Sequence, residues 1–163
     1  MHITLKNKKL YYDNYSVKCA IGKRGITKKK KEGDKCTPRG RFRFISLLYR
    51  KDRIKLLKTK LKKNSINKNM GWCDDSRSEK YNQLIKFPFK YSAEKLYKKN
   101  NSYDVIVVIN YNTKLRMKRK GSAIFLHIAS RKYKPTLGCV AISKKDMKKL
   151  LIKINKSSIL EIL

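Results

Sequence analysis

The stretch Ser122–Asp146, SAIFLHIASRKYKPTLGCVAISKKD, decides how the chain is read. It opens on an apolar run, Ala123-Ile124-Phe125-Leu126, that delivers His127. A basic loop with Pro135 follows, and Thr136-Leu137-Gly138-Cys139 then enters a second apolar run, Val140-Ala141-Ile142. Short apolar runs bounded by turn residues read as buried strands. One of the two histidines therefore stands at one strand edge and a cysteine at the next, with eleven residues between them.

Such a pair is the raw material of an activated thiolate. A neighbouring imidazole or positive field raises the ionised fraction of a thiol, and Arg131, Lys132 and Lys134 add local positive charge. Gly138 has no Cβ and lets the backbone approach a ligand, and the amides of Gly138 and Cys139 can face a developing oxyanion. A structural alternative stands beside this one. A cysteine in an apolar strand is usually a small buried hydrophobe, and a strand-end histidine usually bonds the backbone. On these two residues alone, both readings stay open.

Outward from this stretch, 163 residues suit a single domain, 1–163, able to bury its own core. Forty-four Lys and Arg against 11 Asp and Glu give a net charge of +33, which points toward polyanions. The excess is mostly lysine, however, whereas arginine is favoured for bidentate phosphate recognition. It also runs along the whole chain, so a solvated basic surface accounts for it. No specific nucleic-acid site is expected, although non-specific polyanion binding at low salt follows from charge alone.

Cys19, Cys36, Cys73 and Cys139 show no CxxC spacing, so no zinc or other metal site is expected. Two disulfides remain open on count. No apolar run is long enough for a membrane span. The opening MHITLKNKKLYYDNYS alternates rather than forming a signal-peptide core. His2, at the terminus, is assigned no role.

Taken in order, Ile3–Tyr12 and Tyr15–Ile21 read as strands around an Asp13-Asn14 turn. Residues 22–40 form a basic loop whose four consecutive lysines repel one another, and GKRG lacks the GK[ST] ending of a phosphate-binding loop. Pro38-Arg39-Gly40 is turn chemistry, after which RFRFISLLY enters the core through Phe42, Phe44, Ile45, Leu47 and Leu48. Residues 50–70 read as a lysine-rich hairpin or exposed strand pair. In GWCDD, 71–75, Trp72 is either a packing anchor or a wall of the substrate site, while Asp74 and Asp75 read as turn caps. Ser92–Lys99 is expected as a short helix capped by Ser92. Tyr103–Tyr111 reads as a strand buried on both faces, and 122–129 and Gly138–Ile142 as two more. Ser143 starts a helix with Asp146 in the capping position and Met147, Leu150, Leu151 and Ile154 on one face. Ser158–Leu163 closes the chain as a strand. The expected fold is mainly β, a mixed-sheet sandwich or open barrel with about two short helices.

The segment GSAIFLHIASRKYKPTLGCVAIS resembles the active-site segment of the L,D-transpeptidase catalytic domain family. TPRGRF, 37–42, is similar to that family's TPxGxF signature, and GWCDD and YDVIVVINYN, 103–112, resemble one subgroup. The resemblance spans nearly the whole chain in order. It implies a largely β enzyme without a cofactor, a monomer, that cleaves a peptidoglycan stem peptide after its third residue. Cys139 would form a thioester, which an amine from another stem or water resolves. It assigns Cys139 as nucleophile, His127 as base, Gly138 and Cys139 as oxyanion amides, and Thr136, with Trp72, to substrate binding. It places the activity in the periplasm or cell envelope, the cytoplasm being the alternative that the opening residues suggest. Where the family often carries a second histidine and an arginine, this chain has Leu137 and Ala141, which leaves a backbone carbonyl to orient His127. Two other readings are an L,D-carboxypeptidase or related amide hydrolase using the same pair, and a basic nucleic-acid or anionic-polymer binding protein.

Overall fold

Alternation of buried and exposed side chains writes the first strands. β1 (His2–Lys6) buries Ile3 and Leu5, β2 (Lys9–Tyr12) buries Leu10 and Tyr12, and β3 (Tyr15–Ala20) buries Val17 and Cys19. The structure, a computed structural model, describes every residue except Lys29 and Leu56. Ile3–Tyr12 is thus two strands rather than one. Asn7 and Lys8 turn the chain between them with φ of 52° and 56°, the left-handed pair that two-residue hairpin loops demand.

The remaining strands are β4 (Ile26–Thr27), β5 (Thr37–Pro38), β6 (Gly40–Tyr49), β7 (Lys63–Ser65), β8 (Met70–Cys73), β9 (Leu84–Lys86), β10 (Ala93–Lys95), β11 (Val105–Ile109), β12 (Phe125–Ile128) and β13 (Val140–Ile142). Helix α1 (Lys144–Lys153) and strand β14 (Ile159–Ile162) complete the chain. Eight strands follow one another as β11-β12-β13-β3-β2-β1-β14-β6, and β6 pairs back onto β11. The mainly β expectation holds, and the sheet closes into a barrel-like ring instead of staying open. Within the ring β1/β14 and β12/β13 are parallel and the other neighbours antiparallel.

Two cores share the strands of this ring. In one, Val105, Val107 and Ile109 pack with Ile3, Leu5 and Leu160, and α1 contributes Met147, Leu150 and Leu151 with Ile154 just beyond its end. In the other, Ile106, Val108 and Phe125 meet Met70, Trp72, Leu96 and Tyr103. The latter core lies under a three-stranded sheet, β10-β8-β9. β11 is therefore buried on both faces, which is why its sequence is an unbroken apolar run.

Several local expectations are corrected. Ser92–Lys99 does not form a helix: its backbone pairs with β8 as β10, Ala93 facing Cys73 and Glu94 facing Trp72, so tertiary pairing overrides local propensity. One α-helix is present among the described residues, along with a 3₁₀ turn at Asn101–Tyr103. Within 50–70, β7 pairs parallel with β6. Ile45 points outward while Phe44, Leu47 and Leu48 point in. In the four-lysine run Lys29 lies outside the described residues. Lys30 is buried, because Asp34 Oδ1 accepts its ammonium at 2.6 Å.

The helix start follows the expected pattern. Ser143 Oγ accepts from the Asp146 amide at 3.0 Å and donates to Asp146 Oδ2 at 2.6 Å. Ser143→Ala should cost about 1 kcal/mol, read as a lower denaturant midpoint at unchanged slope.

Candidate active site

His127 and Cys139 are brought together by the parallel pairing of β12 and β13. Leu126 faces Val140 and His127 faces Ala141, so the register carries Cys139 to the level of Phe125. Side chains alternate across a strand, so Phe125 and His127 share a face with Cys139 and Ala141. Parallel neighbours need a crossover. Here residues 129–139 provide it without a helix, as a loop that returns with Cys139 at its end. His127, Cys139 and Ala141 line one cleft of about 590 Å³, which Tyr103, Glu94 and Lys98 also border.

Cys139 rests as a thiol. Cys139 Sγ donates to the Ala123 carbonyl at 3.1 Å and accepts from the Phe125 amide at 3.4 Å. Burial pushes its pKa up to about 12, helped by Glu94; the Phe125 amide, Lys98 and Lys30 act in the opposite sense. The cations that reach it are thus Lys98 and Lys30. Arg131, Lys132 and Lys134, expected from the sequence to supply the field, are exposed.

His127 is likewise kept neutral. Burial lowers its pKa, against the carbonyls of Ile128 and Ser102 and the charge of Glu94. Nδ1 lies 2.9 Å from the Ile128 oxygen, and since a carbonyl can only accept, Nδ1 donates and Nε2 is the basic nitrogen. The ring stands edge-on to Tyr103 with centroids 5.3 Å apart. In the resting state burial thus outweighs the thiolate-promoting environment anticipated from the sequence.

The turn before Cys139 is held from both sides. Gly138 adopts φ +139°, and a Cβ there would sit 2.9 Å from the Cys36 carbonyl oxygen, so only glycine fits. Thr37 Oγ1 donates to the Gly138 carbonyl at 2.9 Å and accepts from the Gly22 amide at 2.8 Å. The first residue of TPRGRF is therefore a clamp on the Gly138–Cys139 turn, a role that reading the segment as turn chemistry missed. Thr136 borders the cleft, with its hydroxyl turned to the backbone. Oγ1 donates to the Cys139 carbonyl at 2.6 Å and accepts from the Gly138 amide at 3.1 Å. Leu137 is 76% exposed at the rim.

Trp72 is not a wall of this cleft. It is 7% exposed, packs edge-on against Phe125 at 5.1 Å, and donates its indole N–H to Asn82 Oδ1 at 2.9 Å. Asn82, missed in the sequence, is buried at φ 56° and makes four such bonds. Its oxygen also accepts from the Ala123 amide at 3.0 Å, and its nitrogen donates to the Tyr111 and Asn112 carbonyls at 3.1 and 2.9 Å. Ala123 is thereby held at φ 51°, with its carbonyl on the Cys139 thiol. A run of Tyr-Asn after GWCDD carried no signal that could reveal this.

Asp75 does cap its turn: Arg77 donates to it through backbone and guanidinium and holds its carboxyl well below the usual range. Asp74 departs from the turn-cap expectation. It borders the cleft, and its Oδ1 is buried without a hydrogen-bond partner. All four cysteines are free, which answers the disulfide question. Among the described residues no three His, Cys, Asp or Glu side chains converge as a metal ion requires.

A family model, the L,D-transpeptidase catalytic domain, matches residues 2–162. The chain belongs to this family. No curated protein and no solved structure matches it. As an L,D-transpeptidase-type chain it falls among peptidoglycan-acting enzymes, which implies an envelope location. Among the described residues no helix is long and apolar enough to cross a membrane.

Two outcomes follow from this geometry. Thr37→Val keeps the shape but leaves the Gly138 carbonyl and Gly22 amide unpaired; it should destabilise by about 1–3 kcal/mol in chemical denaturation. Site-resolved alkylation by iodoacetamide should keep accelerating at Cys139 between pH 9 and 11. A cysteine at its ordinary pKa of 9.0 levels off there, as the same residue should in denaturant.

Proposed function

We propose that this chain is a cysteine acyltransferase performing L,D-transpeptidation on peptidoglycan stem peptides. The observation that carries the reading is the opening of Cys139 and His127 onto one cleft from adjacent parallel strands, in a chain of this family. Donor binding displaces the Ala123 carbonyl from Sγ, and the thiol proton passes to His127 Nε2. Sγ attacks the carbonyl carbon of the amide after the third stem residue. The Cys139 amide, and the Gly138 amide once Thr136 releases it, receive the oxyanion. The C–N bond breaks as the imidazolium returns its proton to the leaving amine, giving a free D-amino acid and a thioester on Cys139.

In the second half, an acceptor amine gives a proton to His127 and attacks the thioester carbon. The C–S bond breaks, and the thiolate takes the proton back. Water in place of the amine would make the same site an L,D-carboxypeptidase. Lys98 and Lys30 favour the transient thiolate in both halves. Thr136 supports the reading by ordering the Gly138–Cys139 turn. Trp72 contributes through Asn82 and Ala123 rather than by touching substrate.

The test is incubation with a carbapenem, which acylates the cysteine of this family, followed by intact mass measurement. A single covalent adduct is expected. Cys139→Ala should abolish it and His127→Ala should slow its formation at least about 100-fold. Folded wild-type protein that acquires no adduct would sink the proposal. Adding an amine acceptor with a tetrapeptide donor then separates cross-linked product from free tripeptide.

A further inference from the structure

The 129–139 crossover also borders a second cleft, of about 460 Å³, which shares Pro135 with the catalytic one. Lys8, Lys9, Lys18, Lys23 and Lys132 line it, and no acidic side chain does. Among the described residues none of these five lysines takes part in an ion pair. The strand register sharpens this arrangement. Lys6 lies directly opposite Lys9, and Lys9 opposite Lys18, so three lysines stand side by side across the exposed face of β1, β2 and β3. Like charges directly opposite one another destabilise a sheet. Three lysines elsewhere are held by acids, in Lys30–Asp34, Lys98–Glu94 and Lys153–Asp13, so what sets this group apart is its direct cross-strand alignment. Of the three, Lys9 and Lys18 stand on the wall of the cleft, with no acid beside them.

We infer that this cleft is a binding site for an extended phosphate-bearing polymer strand, held by charge and without base recognition. The inference is independent of the catalytic reading. Lysine ammonium groups are hydrated point charges, suited to phosphates spaced along a flexible chain. Neighbouring strands about 4.8 Å apart present them at a comparable density. Single-stranded nucleic acid binding depends on aromatic faces that stack bases. Tyr133 is the aromatic residue lining the cleft, and Lys18 Nζ covers its ring at 4.9 Å from the centroid. Charge complementarity without a free stacking face therefore favours a polymer lacking bases.

The experiment measures binding of an inorganic polyphosphate chain over a range of salt. It compares wild type, a cleft triple Lys9→Gln/Lys18→Gln/Lys132→Gln, and a control triple of equal charge on α1, Lys144→Gln/Lys145→Gln/Lys148→Gln. The cleft triple should weaken binding at least about tenfold and reduce the slope of log K against log salt by about 2, and the control by less than about threefold. Thermal melting checks folding, and the cleft triple should melt no lower than wild type because like-charge repulsion is relieved. Equal losses in the two triples would show that overall charge alone binds polyphosphate and would overturn the site. Tighter binding of oligothymidylate than of polyphosphate at matched charge would overturn the ligand class, and so would failure of wild type to bind polyphosphate at low salt.

Discussion

The parallel pairing of β12 with β13 is the constraint from which the site follows. In an antiparallel hairpin residues 127 and 139 would both flank the connecting turn, with no return of the chain along the strand. A parallel pair requires the chain to travel back to the starting edge before the second strand begins. In this chain the return is an eleven-residue loop, so Cys139 enters β13 at the level of Phe125, two residues back from His127 along the neighbouring strand and on the same face. The closed ring leaves no slack for a slip, because β13 is pinned on its other side by β3 and β12 by β11. A one-residue shift would turn Cys139 into the opposite core.

Burial and reactivity pull against each other at that position. A thiol pKa near 12 against an ordinary 9.0 corresponds to roughly 4 kcal/mol against the thiolate in the resting cleft. Because the folded pKa lies above the unfolded one, the same preference contributes stability that is intact below pH 9 and lost as pH rises through 12. In the proposed reaction, activation comes from events that accompany substrate: loss of the Ala123 acceptor, proton transfer to His127, and exposure of the thiolate to Lys98 and Lys30. A protected resting thiol is consistent with that order of events. It also explains why the carbonyl that holds it is fixed so thoroughly, through Ala123, Asn82 and Trp72.

Much of this was legible in the residues. The unbroken run at 105–109 announced a strand between two cores, and Ser143 with Asp146 announced the helix start. The signals that failed share a cause: their meaning lies in long-range partners. Ser92–Lys99 has a capping residue and helix formers, yet its amides are claimed by β8 from twenty residues away. Trp72 stood out as the sole tryptophan, but only the fold shows its indole turned onto Phe125 and Asn82. Asn82 had no signal at all, because four bonds to three separate segments leave no trace in local spacing. Thr37 was visible inside TPRGRF, and its contact with Gly138, 101 positions away, was not.

The charge balance finds its physical reading in the acids rather than the lysines. With 11 carboxylates against 44 basic residues, each acid has a choice of partners, and the fold uses nearly all of them as local fasteners. Asp34 holds Lys30, Asp104 holds Arg53, Asp75 holds Arg77, Glu94 holds Lys98, and Asp146 caps α1. Against that background two departures carry information. Asp74 keeps a buried oxygen unpartnered at the edge of the His127–Cys139 cleft, in a molecule where cations are abundant. The lysines of β1, β2 and β3 face one another with no acid placed among them. A surface that had drifted toward lysine without constraint would still be expected to avoid direct cross-strand repulsion, since moving a single charge relieves it. Asp74 borders the first cleft and Lys9 and Lys18 the second, and the 129–139 crossover lines both, which is where the proposed reaction and the proposed polymer site need charge to be sited.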